Sequence, residues 1–214
     1  MTFALLPVKN PRKAKQRLEG FFPAEVREQL ARVLYEQTIR ALCQASGIDR
    51  VLVITSDAEI SAHARCMGAL VIEETEQSSH SASADSACRT AMEMGAKTAL
   101  LVPIDVPLVA PSDFEYLAAA GMSLRPGVVI VPSADGTGTN ALARTPPDVI
   151  PSCFGPGSFR AHLGQARSRE VAADVLRLPG LMFDIDTPED VAELLERAPE
   201  SQVALFLRSA CASK

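Results

Sequence analysis

Short apolar runs rich in β-branched residues alternate along this chain with segments of helical periodicity. The runs that favour buried strands lie at residues 3–8, 51–55, 70–72, 99–104 and 128–131. Helical patterns fall between them, at residues 23–44, 57–67, 83–94 and 111–120. Strand and helix in this order predict right-handed crossovers, and therefore an α/β fold with a mostly parallel sheet that carries helices on both faces.

The rest of the chain breaks this alternation without indicating a second domain. A Gly- and Pro-rich stretch at 135–158 precedes a predicted helix at 159–168, a strand at 174–178 and a helix at 188–197. No repeat or linker separates the two parts, so we expect one domain over residues 1–214. The tail at 202–214 has apolar residues that would pack either on their own core or on a second copy in a homodimer.

Composition and charge exclude several classes of protein. The net charge of −5 argues against a nucleic-acid binder, which normally presents a positive field to phosphodiesters. The apolar run at residues 1–9 is too short to span a bilayer and lacks a signal-peptide pattern, so we expect no membrane partner. The 5 cysteines show no CxxC spacing, which favours free thiols in the reducing cytoplasm over disulfides or zinc.

A basic segment follows the first predicted strand. Ligands of open α/β sheets bind beyond the carboxyl ends of the strands, and this is one such end. Pro7, Val8 and Lys9 lead into the segment, whose further basic residues are Arg12, Lys13, Lys15 and Arg17. Clustered cations in this position favour a triphosphate, with a solvated basic loop as the alternative. No GxxxxGK string is present, which excludes a P-loop NTPase.

Three aspartates predict a site for a divalent cation. Asp105 follows a predicted buried strand, while Asp184 and Asp186 point to one side of an extended segment because strand side chains repeat with period two. Carboxylates in such positions suit Mg²⁺, which takes oxygen ligands and substrate phosphates. Each part of this site has an alternative interpretation. Asp105 would only cap a turn. Thr187 and Asp190 predict a helix capping box, which would account for their segment but leave Asp184 unexplained.

Small and hydroxyl-bearing residues form further candidate contacts. Thr139 follows Gly138, and Gly155 and Ser158 precede a predicted helix, where exposed amides suit a phosphate or carboxylate. Plain turns are the alternative. The segment 76–85, which contains Ser81, would flank a nucleobase or ribose, or form a surface loop. His162 lies in a helical pattern without a partner at ligand spacing, and we interpret it as structural.

Taken in order, several strings of the chain resemble those of one family. They are Pro7-x-Lys9, Ala14-Lys15-x-Arg17-Leu18, Pro103-x-Asp105-x-Pro107-Leu108, Gly138-Thr139-Asn140-Ala141-Leu142, Phe154-Gly155-Pro156-Gly157-Ser158-Phe159 and Asp184-Ile185-Asp186-Thr187-Pro188-Glu189-Asp190. The family is the CofC/FbiD guanylyltransferases of deazaflavin coenzyme (F-420) biosynthesis. The resemblance implies a Rossmann-like, GT-A-like nucleotidyltransferase fold. It also implies transfer of GMP from GTP to 2-phospho-L-lactate, phosphoenolpyruvate or 3-phospho-D-glycerate, with release of pyrophosphate.

The same resemblance implies roles for individual residues. Asp105, Asp184 and Asp186 would hold Mg²⁺, expected as two ions, and Asp105 and Lys15 would be catalytic. Thr139, Gly155 and Ser158 would contact the acid substrate. The residues expected to face GTP are Pro7, Val8, Lys9, Lys15 and Ser81.

The chain departs from the family pattern at three places. Gln16 stands where the family commonly has Ser, Thr137 interrupts a glycine string, and residues 80–85 replace a Gly-Leu-Asn string where the nucleotide is expected. Two alternatives to the predicted activity remain. One is a sugar-phosphate or molybdopterin nucleotidyltransferase, although the GGxSxRMG-like first loop of those enzymes is missing here. The other is a non-catalytic nucleotide-binding protein of the same fold.

Overall fold

A computed structural model describes residues 1–74 and 79–212 of the chain. One sheet contains the seven strands of these ranges, which are β1 (Thr2–Pro7), β2 (Arg50–Thr55), β3 (Leu70–Glu73), β4 (Thr98–Leu101), β5 (Gly127–Pro132), β6 (Thr139–Thr145) and β7 (Ala172–Val175). Their order across the sheet is β3-β2-β1-β4-β6-β5-β7. β6 runs antiparallel to β4 and β5, and the other neighbouring pairs are parallel.

Helices cover both faces of this sheet. They are α1 (Ala24–Gln44), α2 (Ala58–Cys66), α3 (His80–Glu93), α4 (Pro111–Ser123), α5 (Ser158–Ser168), α6 (Pro179–Met182), α7 (Pro188–Arg197) and α8 (Gln202–Ala212). Within the described ranges, no helix is both long and apolar enough to cross a bilayer.

Alternating side chains of the central strands separate two hydrophobic layers. Leu6 and Val53 face α1, α2 and α4, whereas Leu5 and Ile54 face α3 and α5. A strand buried on both faces is expected to be apolar at every position, and this accounts for the continuous apolar runs in the sequence. The prediction of an α/β fold with helices on both faces is confirmed.

A third hydrophobic cluster joins the C-terminal tail to the first helix. Val203 and Leu207 of α8 pack with Leu34 of α1, and Leu18 and Phe22 belong to the same cluster. The tail therefore packs on its own chain through this face of α8. Residues 213–214 lie outside the described ranges. Because Leu18 ends the basic segment, the same cluster anchors that segment to the core.

Several predicted element bounds are wrong for identifiable reasons. The stretch at 135–158 contains strand β6, which the turn-forming residues on either side conceal. β4 ends at Leu101 instead of residue 104, because Pro103 has no amide hydrogen for a ladder. α3 begins at His80 instead of residue 83, since the Ser79 hydroxyl accepts a hydrogen bond from the Ala82 amide. β7 ends at Val175, and α6 begins four residues later at Pro179.

One edge of the sheet gathers the segments that the sequence analysis selected. The parallel strands β1 and β4 present their carboxyl ends there. The antiparallel strand β6 presents its amino end at the same edge, beginning at Thr139. Residues far apart in the sequence are thereby brought to the rim of a single cleft.

Candidate active site

A cleft of about 540 Å³ opens at this edge of the sheet. Of the residues selected from the sequence, those that line it are Pro7, Lys9, Lys15, Asp105, Thr139, Gly155 and Asp186. Lys13, Gln16 and Arg17 extend the lining on the side of the basic segment. Arg12 is instead directed to α1, where its Nε lies 3.7 Å from Glu28 Oε1.

Lys15 is buried between two carboxylates on one wall. Its side chain is only 3% exposed, and its Nζ contacts Asp105 and lies 3.4 Å from Asp186 Oδ1. It also donates to the Ile185 carbonyl at 2.5 Å. Burial alone would lower the pKa of Lys15, but the two carboxylates together raise it above its usual range. Lys15 therefore remains an ammonium that joins the two aspartate-bearing segments.

The segment that carries Asp184 and Asp186 is fixed by its own backbone. The Ile185 amide donates to the Asp105 carbonyl at 3.0 Å, so the two segments are paired directly. Asp190 accepts from the amides of Asp186 and Thr187, at 2.8 and 2.7 Å, and completes the predicted capping box of α7. The same segment therefore contains both the capping box of α7 and two of the three selected carboxylates, those of Asp184 and Asp186.

Asp184 is held by Asn140, a residue to which the sequence analysis gave no role of its own. Asn140 Nδ2 lies 3.0 Å from Asp184 Oδ1 and also 3.0 Å from the carbonyls of Leu181 and Met182. Burial raises the pKa of Asp184, and the charges of Asp186 and Asp105 add to that rise. The three carboxylates are thus close enough to repel one another, and an added cation would relieve that repulsion.

The donor set suits Mg²⁺ that is shared with a substrate more than a metal held by protein alone. In the part of the chain that is described, no three acidic, histidine or cysteine side chains form a ready metal cluster. Lys15 bridges Asp105 and Asp186 in this structure. Mg²⁺, however, usually takes one or two carboxylates together with water and substrate phosphates. Asp105 and Asp186, which line the cleft, can supply two carboxylates to such a site, whereas Asp184 does not line the cleft.

Another part of the wall is formed by the start of β6 and the turn before α5. Thr139 Oγ1 lies 3.0 Å from His162 Nδ1, and the Cys153 amide donates to His162 Nε2 at 2.9 Å. Gly155 has a φ of 129°, which favours glycine. Ser158, the first residue of α5, is buried behind this wall and does not line the cleft.

The turn between β5 and β6 explains how the chain accommodates Thr137. Asp135 accepts from the Thr137 amide at 2.9 Å and from its hydroxyl at 2.7 Å, and its hydrogen bonds with Ser133 and Thr137 lower its pKa to about 2. Two positions of the turn favour glycine: Gly136 has a φ of 71°, and a Cβ at Gly138 would approach Ser133 Oγ to 2.9 Å. The departure from a glycine string therefore preserves the position of Thr139.

Two of the residues expected to face GTP have other contacts. Val8 lies in the core and its amide donates to the Ile54 carbonyl at 2.8 Å, so the side chain does not reach the cleft. The Ser81 hydroxyl accepts from the Phe154 amide at 2.9 Å and joins α3 to the turn before α5. Pro7 and Lys9 do line the cleft. Residues 76–78 of the predicted nucleotide segment lie outside the described ranges.

The structure also shows a buried ion pair that the sequence analysis missed. Arg144 of β6 donates to Asp85 of α3 at 3.0 Å and to the Ile150 carbonyl at 2.6 Å. Asp85 also accepts from the amide and hydroxyl of Ser152. The one signal in the sequence is an arginine within the short apolar run of β6. This network supports the chain segment that leads to Phe154 and Gly155.

Comparison with known proteins identifies the family. A family model described as guanylyl transferase, CofC like, matches residues 2–213. The chain belongs to this family. A phosphoenolpyruvate guanylyltransferase of Rubrobacter xylanophilus is 38% identical over 193 residues, which cover 90% of this chain and 92% of the relative. A 3-phospho-D-glycerate guanylyltransferase of Colwellia psychrerythraea is 34% identical over 194 residues, covering 91% and 90%.

A solved structure agrees with the fold of this CofC-like chain. A nucleotidyl transferase from Methanothermobacter thermautotrophicus superposes with a TM-score of 0.67 at 17% identity, covering 98% of this chain and 99% of that one. The likeness confirms the nucleotidyltransferase-like fold. Membership in the CofC-like family confirms the predicted family and the predicted class of enzyme, a guanylyltransferase for which GTP is the co-substrate.

Proposed function

We propose that this protein transfers GMP from GTP to the phosphate of a small C3 acid, as a step in the biosynthesis of a deazaflavin coenzyme. The observation that carries the proposal is the meeting of Asp105 with the segment of Asp184 and Asp186 at one wall of the cleft, through Lys15 and the Ile185 amide. Thr139 and Gly155 line the same cleft. Carboxylates for a cation and contacts for an anion thus border one space.

We propose that the two substrates contact different parts of the lining. Lys9, Lys13 and Arg17 line it from the basic segment and are suited to the triphosphate of GTP. Thr139 and Gly155 are suited to the carboxylate or phosphate of the acid. We propose that Asp105, Asp184 and Asp186 hold Mg²⁺, which when bound would supply charge neutralisation between the two phosphates.

The proposed reaction is an in-line displacement. A phosphate oxygen of the acid attacks the α-phosphorus of GTP, the bond from that phosphorus to the α,β-bridging oxygen breaks, and pyrophosphate leaves. A phosphate monoester is already a competent nucleophile, so the protein need not supply a strong base. Its residues act by positioning two polyanions and by neutralising their charge. Lys15 holds the carboxylates of Asp105 and Asp186 in place for this reaction.

Pyrophosphate release provides the test. Purified protein is incubated with GTP, Mg²⁺ and, separately, phosphoenolpyruvate, 3-phospho-D-glycerate or 2-phospho-L-lactate. We expect release with at least one acid, and phosphoenolpyruvate is the first candidate because the relative at 38% identity carries that name. Omission of Mg²⁺ with added chelator should abolish release. A folded sample that binds GTP but releases no pyrophosphate with any acid would favour a non-catalytic protein.

The cellular location and the assembly are also proposals. All 5 cysteines are free thiols in the structure, which supports the reducing cytoplasm. α8 packs on its own chain, so the tail gives no support to a homodimer. The homodimer stays a prediction, to be decided by sedimentation of the purified protein.

A further inference from the structure

We propose that His162 is a positioning residue that fixes the Thr139 hydroxyl as a hydrogen-bond donor toward the acid substrate. This inference rests on the proposed function and extends it to a residue that the sequence analysis treated as structural. It follows from the hydrogen bonds around one buried ring.

The protonation of the ring follows from its two partners. The Cys153 amide lies 2.9 Å from His162 Nε2, and a backbone amide can only donate. Nε2 must therefore be the unprotonated nitrogen, so a neutral ring carries its proton on Nδ1. The Thr139 hydroxyl lies against the other ring nitrogen and can either donate or accept, so it is compatible with this tautomer.

The tautomer determines what the Thr139 hydroxyl can do. Nδ1 lies 3.0 Å from Thr139 Oγ1, and since Nδ1 carries a proton, the hydroxyl must accept there. The hydroxyl proton is then directed to another acceptor. Thr139 lines the cleft, and an oxygen of a carboxylate or phosphate bound there would accept that proton.

The same ring also links the two segments that border the acid side. His162 is 0% exposed, and it joins Thr139 of β6 to the Cys153 amide, two residues before Gly155. The Phe154 ring packs edge-on against it, with centroids 5.2 Å apart. Burial, with Arg144 nearby, lowers the pKa of His162 to about 4, so the ring stays neutral at physiological pH and the tautomer is kept.

Two substitutions separate the hydrogen bonds of the ring. The amide of His162→Asn lies near the position of Nδ1 and keeps a donor for Thr139. The side-chain amide of His162→Gln lies near the position of Nε2. It keeps an acceptor for the Cys153 amide but provides no donor for Thr139. Thr139→Val removes the hydroxyl at constant shape. His63→Gln is the matched control, because His63 on α2 contacts the Tyr35 hydroxyl and does not line the cleft.

Steady-state kinetics of pyrophosphate release is the first measurement. We expect His162→Gln and Thr139→Val each to raise KM for the acid about tenfold or more, with KM for GTP within about twofold of wild type. His162→Asn should recover part of the loss. The double variant should be no worse than the poorer single variant, since both changes remove one interaction. His63→Gln should match wild type.

An NMR experiment reads the tautomer without reference to activity. Long-range ¹H–¹⁵N correlation on the wild-type protein should show His162 with a protonated Nδ1 and an unprotonated Nε2 near neutral pH. A protonated Nε2 would overturn the inference even in an active enzyme. So would an active wild type whose His162→Gln variant keeps its KM for the acid, or loses affinity for acid and GTP equally. A wild type that transfers GMP to no acid overturns the proposed function and this inference together.

Discussion

Asp105 lies where two segments distant in sequence meet. Its side chain contacts Lys15 and its carbonyl accepts from the Ile185 amide. Asp105→Asn keeps the size of the side chain and leaves the backbone pairing intact, but it removes the charge. We expect kcat to fall at least about 100-fold, by analogy with the loss of one preorganised electrostatic group. The measurement is pyrophosphate release at saturating GTP and acid.

A matched control for this variant is Asp174→Asn. Asp174 is exposed on β7, where its side chain accepts from the neighbouring Val175 amide. This control should keep kcat within about twofold of wild type, as is usual for surface changes. Thermal unfolding of both variants would show whether the fold is intact. A folded Asp105→Asn protein within tenfold of wild-type kcat would remove Asp105 from the catalytic machinery.

At the scale of residues, prediction from sequence worked where local spacing decides geometry. The spacing of Asp184 and Asp186 and the place of Asp105 after a buried run allowed both carboxylate segments to be selected in advance, and Asp105 and Asp186 line the cleft whereas Asp184 does not. The side chain of Val8 lies in the core, because the same alternation that delivers Lys9 to the cleft directs Val8 away from it. His162 was missed because its partner Thr139 lies 23 residues away in sequence, and no helical spacing reports such a contact.

At the scale of elements, α8 offers a test of how the C-terminal tail is held. Leu207 is 0% exposed within the cluster that joins α8 to α1 and α7, whereas Leu205 on the same helix is 50% exposed. Leu207→Ala should lower the free energy of unfolding by about 2–5 kcal/mol, from lost burial and the cavity left behind. Leu205→Ala should change it by less than about 0.5 kcal/mol.

Urea denaturation, followed by circular dichroism, measures both changes. Similar losses for Leu205→Ala and Leu207→Ala would contradict the packing of α8 on its own chain. If a second copy of the chain instead covered the exposed side of α8, Leu205→Ala would lower the free energy of unfolding by an amount that depends on protein concentration.

The elements that sequence reasoning placed correctly are those with a strong local signal. Helix α7 begins where Thr187, Pro188 and Asp190 predict a cap, and β1 and β2 are continuous apolar runs. Strand β6 was missed because it is defined by its partners: it pairs antiparallel with both β4 and β5. Its own sequence starts beside turn residues and contains Arg144, which forms an ion pair with Asp85 of α3, far away in sequence.

At the scale of the whole molecule, the buried ring of His162 should make stability depend on pH. Its pKa is lowered from the usual 6.5 to about 4, first by burial and then by Arg144, with Asp85 and the Ser158 carbonyl acting in the opposite direction. As the pH falls below about 6.5, the unfolded chain binds a proton that the folded ring does not accept until about pH 4. The neutral ring therefore contributes roughly 3 kcal/mol to the free energy of unfolding above pH 6.5, and this contribution is lost as the pH falls toward 4.

The variant His162→Gln isolates this contribution, because glutamine does not titrate and the other groups are common to both proteins. Among them is His80, whose pKa is also lowered by burial, so its share cancels in the comparison. Unfolding free energies from urea denaturation at about pH 7 and about pH 4.5 give the loss for each protein. The wild type should lose roughly 2–3 kcal/mol more than the variant over this interval. Equal losses would mean that the folded ring takes up its proton at the same pH as the unfolded chain, so that burial does not lower its pKa.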